Sequence, residues 1–572
     1  MDNSSLKYTA LSIILFFSIS IFLQLGKSEI QPWDEGLYAY RAKAVIEHDA
    51  IWDQTKYSIG ELYSSTYPPL TVWAIATAMK FFLPATALRV FSALCDSLSL
   101  LLIFVIARRL LNEDLSLLII IGLAVTLTWN KYSRQGMTDV PVVTFSLIAF
   151  WMVIRIIEAE KFKQAIIYGL FFALSFAAAL MSKILVSLLP LLFASMLISG
   201  KYDSRKKITV AISVAVAFLL AMPWHIYMIQ TYGAEFYGAF FAPHIYTAVE
   251  ANTQSLGAGY YINQLIIANP FFLLAIFLFF AAVTKFKKIY SMISGSSGKF
   301  VFLVSFIWFY GLLFLFSFST TKLPHYPVYM IVPGLILAAF MFEHYKEILQ
   351  LERTQWFMFT LLVASVFWSI SYGLRQEIKQ VLMLSRFSFG SFLFISAIAM
   401  LLVAGIYIKK EKLAAIIPKI LPQASYAFVL ILVIRLVSVN IFGDDNISGA
   451  REIAKVLNNE KQDTLVYLYH EYNGSDSLNP QIAWYTDGWN IGQRKGKYCV
   501  NVSMPKQKIS YKSIIETDRI KNSLLLYYVS NNSELAGFVI YEIAKRRRIL
   551  KAKKNYIIFD KYTKPKKTGK EI

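Results

Sequence analysis

The stretch that decides the fold is residues 32–69, PWDEGLYAYRAKAVIEHDAIWDQTKYSIGELYSSTYPP, which follows an apolar run at residues 8–25. At helical rise, that run is long enough to cross a bilayer core of about 30 Å. Two adjacent carboxylates, Asp34 and Glu35, therefore lie at the membrane surface. Apolar residues recur behind them at helical spacing, which predicts an interfacial helix whose first turn holds both acids. Acids in a first turn also suit a purely structural cap, so the rest of the chain must decide between the two roles.

The composition indicates a polytopic α-helical membrane protein. Of the 572 residues, 56% are hydrophobic and 16% are charged, and the mean hydropathy is +0.51. A soluble globular protein does not have this composition. The net charge of +21 comes from basic residues scattered over short loops and a lysine-rich tail, without the aromatic interleaving of a nucleic-acid groove. We therefore expect anionic lipid headgroups and phosphates as partners, and no nucleic acid. Cys95 and Cys499 are too few for a disulfide framework.

The apolar runs predict about 13 membrane spans. The first lacks a cleavage site of small residues and is expected to be retained. The others lie at residues 88–107, 115–127, 140–157, 165–180, 184–198, 208–229, 265–283, 300–318, 328–342, 356–372, 387–408 and 416–441.

Basic loops predict the orientation of these spans in the cell (inner or plasma) membrane. The basic groups at residues 108–109, 201–207, 285–288 and 409–412 all fall on one side of the alternation, which the positive-inside rule makes cytoplasmic. The opening loop, the loop at 225–263 and the C-terminal part then face the exterior (periplasmic) side. The loop at 225–263 contains no Lys or Arg, in agreement with that assignment.

Two domains are expected. Residues 1–442 form a transmembrane catalytic domain, with residues 26–87 as a first exterior loop that contains interfacial helices. From residue 443 the composition becomes mixed. TLVYLYH, SLLLYYV and NYIIFD read as strands and ISGAREIAKVLNN as a helix, so residues 443–572 are predicted to form a small soluble exterior α/β domain.

Ionisable residues recur at the outer ends of the predicted spans, in turns that are far apart in sequence. Charges at membrane depth are costly, so each is a functional candidate. For Lys183 and Lys322 we weigh snorkelling to headgroups equally with ligand contact. A lone histidine is more often an interfacial hydrogen-bonding residue than a metal ligand. The candidates are Arg134, Asp139, Lys183, His244, Lys322, His325 and Tyr326.

Several ordered motifs together resemble a known family. They are W-D-E-G-x-Y after the first span, Y-P-P-L about thirty residues on, R-x-G-M-x-D-x-P before the fourth span, a Lys in the turn after the fifth, A-M-P-W in the seventh and S-x-x-K-L-P-H-Y between the ninth and tenth. This order resembles the polyprenyl-phosphate-sugar glycosyltransferases of GT-C fold. Within them it is similar to the protein O-mannosyltransferases and the lipid A aminoarabinose transferases.

The resemblance implies an inverting transfer of a sugar from a polyprenyl-phosphate donor. In that family the acid at the start of the first outer loop lies in the catalytic cavity, which makes Asp34 the candidate base. Glu35 would orient it or the acceptor, and Asp139 would be a second catalytic carboxylate. Preorganised cations and donors would hold the lipid phosphate. The residues assigned to that binding role are Arg134, Lys183, His244, Lys322, His325 and Tyr326.

The sequence departs from the aminoarabinose transferases in the first loop. Those show D-E-x-R-Y and E-K-P-P, whereas here Leu37 stands at the Arg position and Thr66 and Tyr67 precede Pro68. Two charges that contact phosphate or metal are missing, so the sugar, the acceptor (a hydroxyl or phosphate of a lipid, glycan or protein) and the presence of a divalent metal stay open. No cofactor is assigned.

Two readings from other classes compete with the enzyme. A secondary transporter or lipid flippase would have the same hydropathy, but its ionisable residues lie near the bilayer midplane rather than at span ends. A membrane scaffold would give the carboxylates and cations no reason to converge.

Overall fold

The computed structural model describes residues 3–31, 34–59, 61–249, 257–319, 322–349, 449–459, 464–470, 480–485, 498–504, 510–518, 523–528, 533–553 and 556–561. The predicted spans at 356–372, 387–408 and 416–441, and the predicted domain boundary after residue 442, lie outside these ranges.

Through residue 349 the described chain is helical. Short 3-10 helices occur at Thr55–Tyr57 and Leu185–Leu188. The α-helices are α1 (Asn3–Phe22), α2 (Asp34–His48), α3 (Glu61–Ser65), α4 (Leu70–Ala78), α5 (Pro84–Ala107), α6 (Glu113–Ala124), α7 (Leu127–Ser133), α8 (Asp139–Glu158), α9 (Phe162–Leu180), α10 (Leu189–Ser199), α11 (Ser204–Tyr232), α12 (Ala234–Val249), α13 (Tyr260–Ala268), α14 (Phe272–Met292), α15 (Ser296–Phe318) and α16 (Val328–Leu349).

Six of the described helices are long and apolar enough to cross a membrane. They are α5, α8, α9, α11, α15 and the Val328–Tyr345 part of α16. The pair α6–α7 would add a seventh span, although the two helices are bent by 61° relative to each other. The helices at Leu6–Phe22 and Leu185–Ser199 are apolar but shorter. A multi-pass membrane protein is therefore confirmed, whereas the count of 13 spans is not.

Two of the predicted spans are interrupted, and one set of polar contacts accompanies both breaks. The Asn269 side chain, between α13 and α14, donates to the carbonyl of Gly122 (3.1 Å) and to Thr126 Oγ1 (3.0 Å) at the α6–α7 break. Thr126 itself donates to the same Gly122 carbonyl at 2.7 Å. Side chains that bond to backbone groups in this way bend or end helices. The predicted spans at residues 115–127 and 265–283 are therefore not continuous helices, since the chain breaks at residues 125–126 and 269–271.

Helix α8 lies at the centre of the bundle. It is mostly buried and packs against α5, α9, α10, α15 and α16. Phe150 of α8 stacks on Phe193 (ring centroids 5.0 Å apart) and meets Trp308 edge to face (6.4 Å). Close packing of this kind holds membrane helices together where lipid weakens the hydrophobic drive. The N-terminal residue of α8, Asp139, is consequently placed in the middle of one end of the bundle.

The C-terminal region is a small α/β unit, as predicted. Strands β1 (Thr464–His470), β2 (Tyr498–Met504), β3 (Leu524–Tyr528), β4 (Ile549–Lys553) and β5 (Tyr556–Phe559) form a sheet of order β2-β1-β3-β5-β4. β1 is parallel to β2 and β3, and β5 is antiparallel to β3 and β4. The described helices are α17 (Ala450–Asn459), α18 (Pro480–Tyr485), α19 (Tyr511–Asp518) and α20 (Ser533–Ala544). An apolar cluster lies on each face of the sheet, which explains the nearly continuous apolar runs of β1 and β3.

Candidate active site

The site begins at the first turn of α2. Asp34 and Glu35 lie in that turn and His48 in the last, an order that complements the helix dipole. Residues 35–42 are all buried. An interfacial helix would expose one face to lipid, so the first two turns of α2 depart from the predicted arrangement. Protein surrounds them, which makes α2 a rigid support for the side chain at its N-terminus.

Asp34 is partly exposed and lies among the charged groups of three other elements. His325, Lys183 and Asp139 all act on its carboxylate electrostatically. Burial raises the pKa of Asp34 above its ordinary value, and the neighbouring His325 and Lys183 oppose that rise. Among the described residues, we find no hydrogen bond to the Asp34 carboxylate. The Asp34 carboxylate is therefore sheltered by protein, but its oxygens accept no hydrogen bond from the described residues.

Asp139 joins the other elements of the site. Its Oδ1 atom accepts a hydrogen bond from Lys183 Nζ at 2.8 Å and another from the Tyr329 hydroxyl, and His325 Nε2 lies 3.9 Å away. Its Oδ2 atom is buried without a partner in the described part of the chain. Lys183 follows α9, His325 precedes α16 and Tyr329 is in the first turn of α16. The structure thus brings together Asp34, Asp139, Lys183 and His325, which the sequence predicted to converge.

Tyrosines surround this cluster. Tyr38 lies one turn after Asp34, and the Tyr326 ring is packed edge to face on His325 with centroids 5.0 Å apart. Burial raises the pKa of Tyr326 to about 12 and that of Tyr38 well above its ordinary value, with Asp34 and Asp139 adding to both shifts. Both phenols are therefore protonated at neutral pH and can donate hydrogen bonds to an oxyanion.

His325 provides a neutral imidazole in the same place. Burial lowers the pKa of His325, while the nearby Asp139 raises it in part. Its ring also meets Tyr132 edge to face, with centroids 6.0 Å apart. A neutral imidazole can donate one hydrogen bond without adding charge to the site.

Glu35 has a different environment from Asp34. Its side chain is fully buried and accepts two hydrogen bonds from Arg89, at 2.7 Å (Nε) and 3.0 Å (Nη2). It accepts two more from the backbone N–H groups of Gln31 (2.6 Å) and Gly136 (2.8 Å). Glu35 thereby fixes α2 against α5 and the loop before α8. Its contacts support a role in positioning Asp34, and they leave little room for a direct contact with an acceptor.

Two predicted phosphate ligands contact the ends of helices instead. Arg134 donates to the carbonyls of Ile21 (2.6 Å) and Leu23 (2.9 Å) at the end of α1. Lys322 Nζ donates to three carbonyls at the end of α15, those of Phe316 (2.9 Å), Ser317 (2.5 Å) and Ser319 (2.6 Å). Cations at helix C-termini are favourable in themselves. The contacts of both residues are therefore explained without a ligand, and their phosphate-binding role stays a prediction.

His244 and a metal site remain to be placed. His244 falls within α12, but its side chain lies outside the described residues. In the described ranges, no three or more His, Cys, Asp or Glu side chains form a group that could hold a metal ion. The described residues thus give no support for the divalent metal that the sequence left open.

Sequence reasoning missed three residues that build this site. Tyr329 binds Asp139, Tyr38 lies beside Asp34, and Arg89 holds Glu35. A signal existed for Arg89, since an arginine near the start of an apolar span needs a partner. The tyrosines gave no comparable signal, because the chain contains 34 of them.

Comparisons with known proteins test the fold. A family model described as dolichyl-phosphate-mannose-protein mannosyltransferase matches residues 66–227, a range that includes Asp139 and Lys183 but not Asp34. A search of curated proteins by sequence finds no match.

Solved structures give a more extensive match. The crystal structure of ArnT from Cupriavidus metallidurans bound to undecaprenyl phosphate aligns over 98% of both chains with a TM-score of 0.62 and 14% identity. The apo structure of the same protein aligns over 96% of this chain and 97% of that chain, with a TM-score of 0.59 and 16% identity. The S. cerevisiae protein O-mannosyltransferase Pmt1-Pmt2 complex bound to the sugar donor aligns over 40% of this chain and 34% of that chain, with 17% identity and a TM-score of 0.33. The chain has the GT-C fold, as the motifs predicted.

Proposed function

We propose that this chain of GT-C fold is an inverting glycosyltransferase that moves a sugar from a polyprenyl-phosphate donor to a hydroxyl or phosphate acceptor. The observation that carries the proposal is the convergence of Asp34 with Asp139, Lys183 and His325 at one end of the bundle. These side chains come from parts of the chain up to about 290 residues apart, and a purely structural role for each would not bring them to one point.

The comparisons support the donor class. The matching ArnT structure is bound to undecaprenyl phosphate, and the matching family model is named for transfer from dolichyl-phosphate-mannose. Undecaprenyl and dolichyl phosphates are both polyprenyl phosphates, so the shared chemistry is a sugar on a long lipid phosphate. For this chain the sugar stays open, and so does the acceptor among lipids, glycans and proteins.

The chemistry explains why a carboxylate is needed. A sugar carried on a lipid phosphate already has a good leaving group, whereas an acceptor hydroxyl is a weak nucleophile until a base takes its proton. In the proposed reaction Asp34 accepts that proton as the acceptor oxygen bonds to the anomeric carbon. The bond from that carbon to the phosphate oxygen breaks on the opposite face, and polyprenyl phosphate leaves with the electron pair. Attack from the face opposite the phosphate inverts the anomeric centre.

Lys183 and the neutral donors would stabilise the leaving phosphate. Lys183 Nζ bonds to Asp139 and also lies 5.6 Å from the centre of the Tyr329 ring, so its ammonium group is held in one position. A donor fixed before the reaction stabilises growing negative charge without reorganising. His325 and Tyr326 would add hydrogen bonds, and Asp139 would keep the Lys183 ammonium group oriented.

We further propose that the site lies on the exterior side of the cell membrane. The basic groups of the loops favour this orientation by the positive-inside rule. The C-terminal α/β unit contacts the opening loop, so both would lie on the same side of the membrane. Exterior acceptors such as envelope lipids, glycans and proteins are consistent with this placement.

The test is a comparison of cells that lack the gene with cells complemented by the wild type, Asp34→Asn or Asp49→Asn. Lipids, glycans and envelope proteins are examined by mass spectrometry for the added mass of one sugar residue, and lipid extracts for polyprenyl-phosphate sugar. We expect Asp34→Asn to lower transfer by about 10²- to 10⁴-fold, the usual contribution of a general base, and to leave unused donor in the membrane.

Asp49→Asn is the matched control. Asp49 is an exposed aspartate in the same loop with φ of +51°, a conformation that asparagine tolerates well. It should retain wild-type transfer. Near wild-type transfer by Asp34→Asn, at equal protein levels in the membrane, would remove Asp34 as the base. No sugar difference between deletion and wild-type cells in any of the three classes would contradict the proposed function.

A further inference from the structure

We infer that Glu29 is a positioning residue through which the C-terminal α/β unit holds the start of α2, and with it Asp34, in place for transfer. The inference rests on the proposed role of Asp34 as base. The physical coupling between the C-terminal unit and the opening loop can be measured separately from that role.

The first contact is a helix cap supplied from the other end of the chain. Glu29 is buried, with 3% exposure, and its carboxylate accepts hydrogen bonds from the backbone N–H groups of Gly449 (3.1 Å) and Arg451 (3.2 Å). Helix α17 begins at Ala450, so these are N–H groups at its start that need acceptors. A carboxylate there also complements the helix dipole. A side chain from the membrane domain thereby completes a helix of the C-terminal unit.

The turn that presents these N–H groups needs a glycine. Gly449 has φ of +87°, and a Cβ atom on it would lie 2.6 Å from the carbonyl oxygen of Lys553. Both the conformation and the space exclude other residues. The acceptor and the N–H groups therefore meet in one defined geometry.

The second contact is one residue further along the opening loop. The backbone N–H of Ile30 donates to the hydroxyl oxygen of Tyr485 at 3.0 Å. Tyr485 is itself held by α17, since the Arg451 guanidinium lies 5.3 Å from its ring centre and Asn458 donates to its carbonyl at 3.2 Å. The Ile30 side chain is buried in a cluster that includes Tyr38 and Ala39 of α2. Adjacent residues of the loop are thus held by the same C-terminal elements.

A short series of hydrogen bonds continues from this contact to the first turn of α2. Arg89 donates to the carbonyl of Glu29 at 2.8 Å and, through two other hydrogen bonds, to the Glu35 carboxylate. The N–H of Gln31 donates to Glu35 at 2.6 Å. The loop that leads into α2 is therefore held by contacts with the membrane bundle and with the C-terminal unit. A misplacement of the reacting groups by about 1 Å can cost about 10²-fold in rate. The contacts of Glu29 and Ile30 with the C-terminal unit therefore matter for transfer.

The experiment compares wild type, Glu29→Gln and Glu452→Gln, each as the full chain in lipid nanodiscs. Hydrogen exchange is followed by mass spectrometry, and transfer kinetics are measured with the polyprenyl-phosphate sugar and the acceptor that the comparison of deletion and wild-type cells identifies. Glutamine keeps the size of Glu29 but turns an NH₂ group toward one of the two N–H donors. We expect exchange at residues 29–40 to rise by about 10-fold or more. We expect kcat to fall by about 10- to 100-fold while the donor KM changes by less than about twofold.

Glu452 is the matched control because it lies on the same helix. Its exposed carboxylate pairs with Lys553 of strand β4 at 2.9 Å. Glu452→Gln should change neither exchange at residues 29–40 nor kcat. Exchange in strand β1 should stay at the wild-type value in both variants, which separates loss of the contact from unfolding of the C-terminal unit.

Each result decides the inference. Unchanged exchange at residues 29–40 in Glu29→Gln would overturn the coupling, and raised exchange with unchanged kcat would overturn the positioning role. If Glu29→Gln does not fold, Tyr485→Phe replaces it, with the same two readouts and a smaller expected change because only the Ile30 hydrogen bond is lost. If Asp34→Asn is fully active while Glu29→Gln still raises exchange, the base assignment fails and the coupling stands.

Discussion

Replacing Glu35 by alanine tests whether this acid is a structural partner or acts directly in the reaction. The substitution removes a carboxylate that accepts four hydrogen bonds, two from Arg89 and two from backbone N–H groups. It leaves the Arg89 guanidinium, which is 1% exposed, without its counter-ion. Removing one partner of a buried ion pair costs about 3–5 kcal/mol, because the remaining charge stays buried. We therefore expect Glu35→Ala to lower the free energy of unfolding by about that amount.

The assay is unfolding in detergent micelles, with Glu47→Ala as the matched control. Glu47 lies on the same helix, but its side chain is 44% exposed and pairs with Lys43 at 3.5 Å. Such a surface pair contributes about 0.3–0.5 kcal/mol. A double replacement, Glu35→Ala with Arg89→Leu, should recover part of the loss because the unpaired charge is gone. If Glu35→Ala is as stable as Glu47→Ala but inactive, the structural role is wrong and a direct role in catalysis is favoured.

Two further predictions concern the cations. The pKa of Asp34 is raised and a base must be deprotonated to act, so activity should fall as pH decreases through a value above about 3.9, the ordinary aspartate pKa. Lys183→Met removes a cation that lowers the pKa of Asp34, so it should move this fall to higher pH in the pH profile of kcat/KM. A shift to lower pH would refute the electrostatic link. Lys322→Ala removes the ammonium group that donates to three carbonyls at the end of α15. It should lower the free energy of unfolding by about 1–3 kcal/mol in the micelle assay and change the donor KM little. A raised donor KM at unchanged stability would instead support phosphate binding.

The sequence predicted the parts of the fold that depend on local pattern. Long apolar runs gave spans such as α5, α8 and α15, and short apolar runs between polar segments gave β1, β3 and β5. The breaks between α6 and α7 and between α13 and α14 were not predictable in the same way. They depend on the Asn269 side chain reaching Gly122 and Thr126, a contact across more than 140 residues that has no local signal.

The site shows the same division. The acids at the start of α2 and the basic and histidine residues in distant turns were recognisable one by one, and the predicted topology placed these turns at one membrane face. The set predicted to meet was larger than Asp34, Asp139, Lys183 and His325, since it also included Arg134, His244, Lys322 and Tyr326. The sequence could not predict which of the charged side chains bond to other groups of the protein. From the sequence, Lys322 was assigned the same phosphate-binding role as Lys183, and Glu35 was placed beside Asp34 in the site. The structure shows that Lys322 bonds to the end of α15 and that Glu35 bonds to Arg89.

The contact between Glu29 and α17 also bears on how the chain is made. Glu29 and Gly449 are separated by 420 residues. At usual rates of synthesis, the ribosome needs about 20–80 s to proceed from one to the other. During that interval Glu29 lacks the backbone N–H groups of Gly449 and Arg451, and Ile30 lacks the Tyr485 hydroxyl. The loop before α2 therefore gains these contacts only after α17 has been made, so a truncated product that stops short of α17 would reach the membrane with its early helices but without this support for the start of α2.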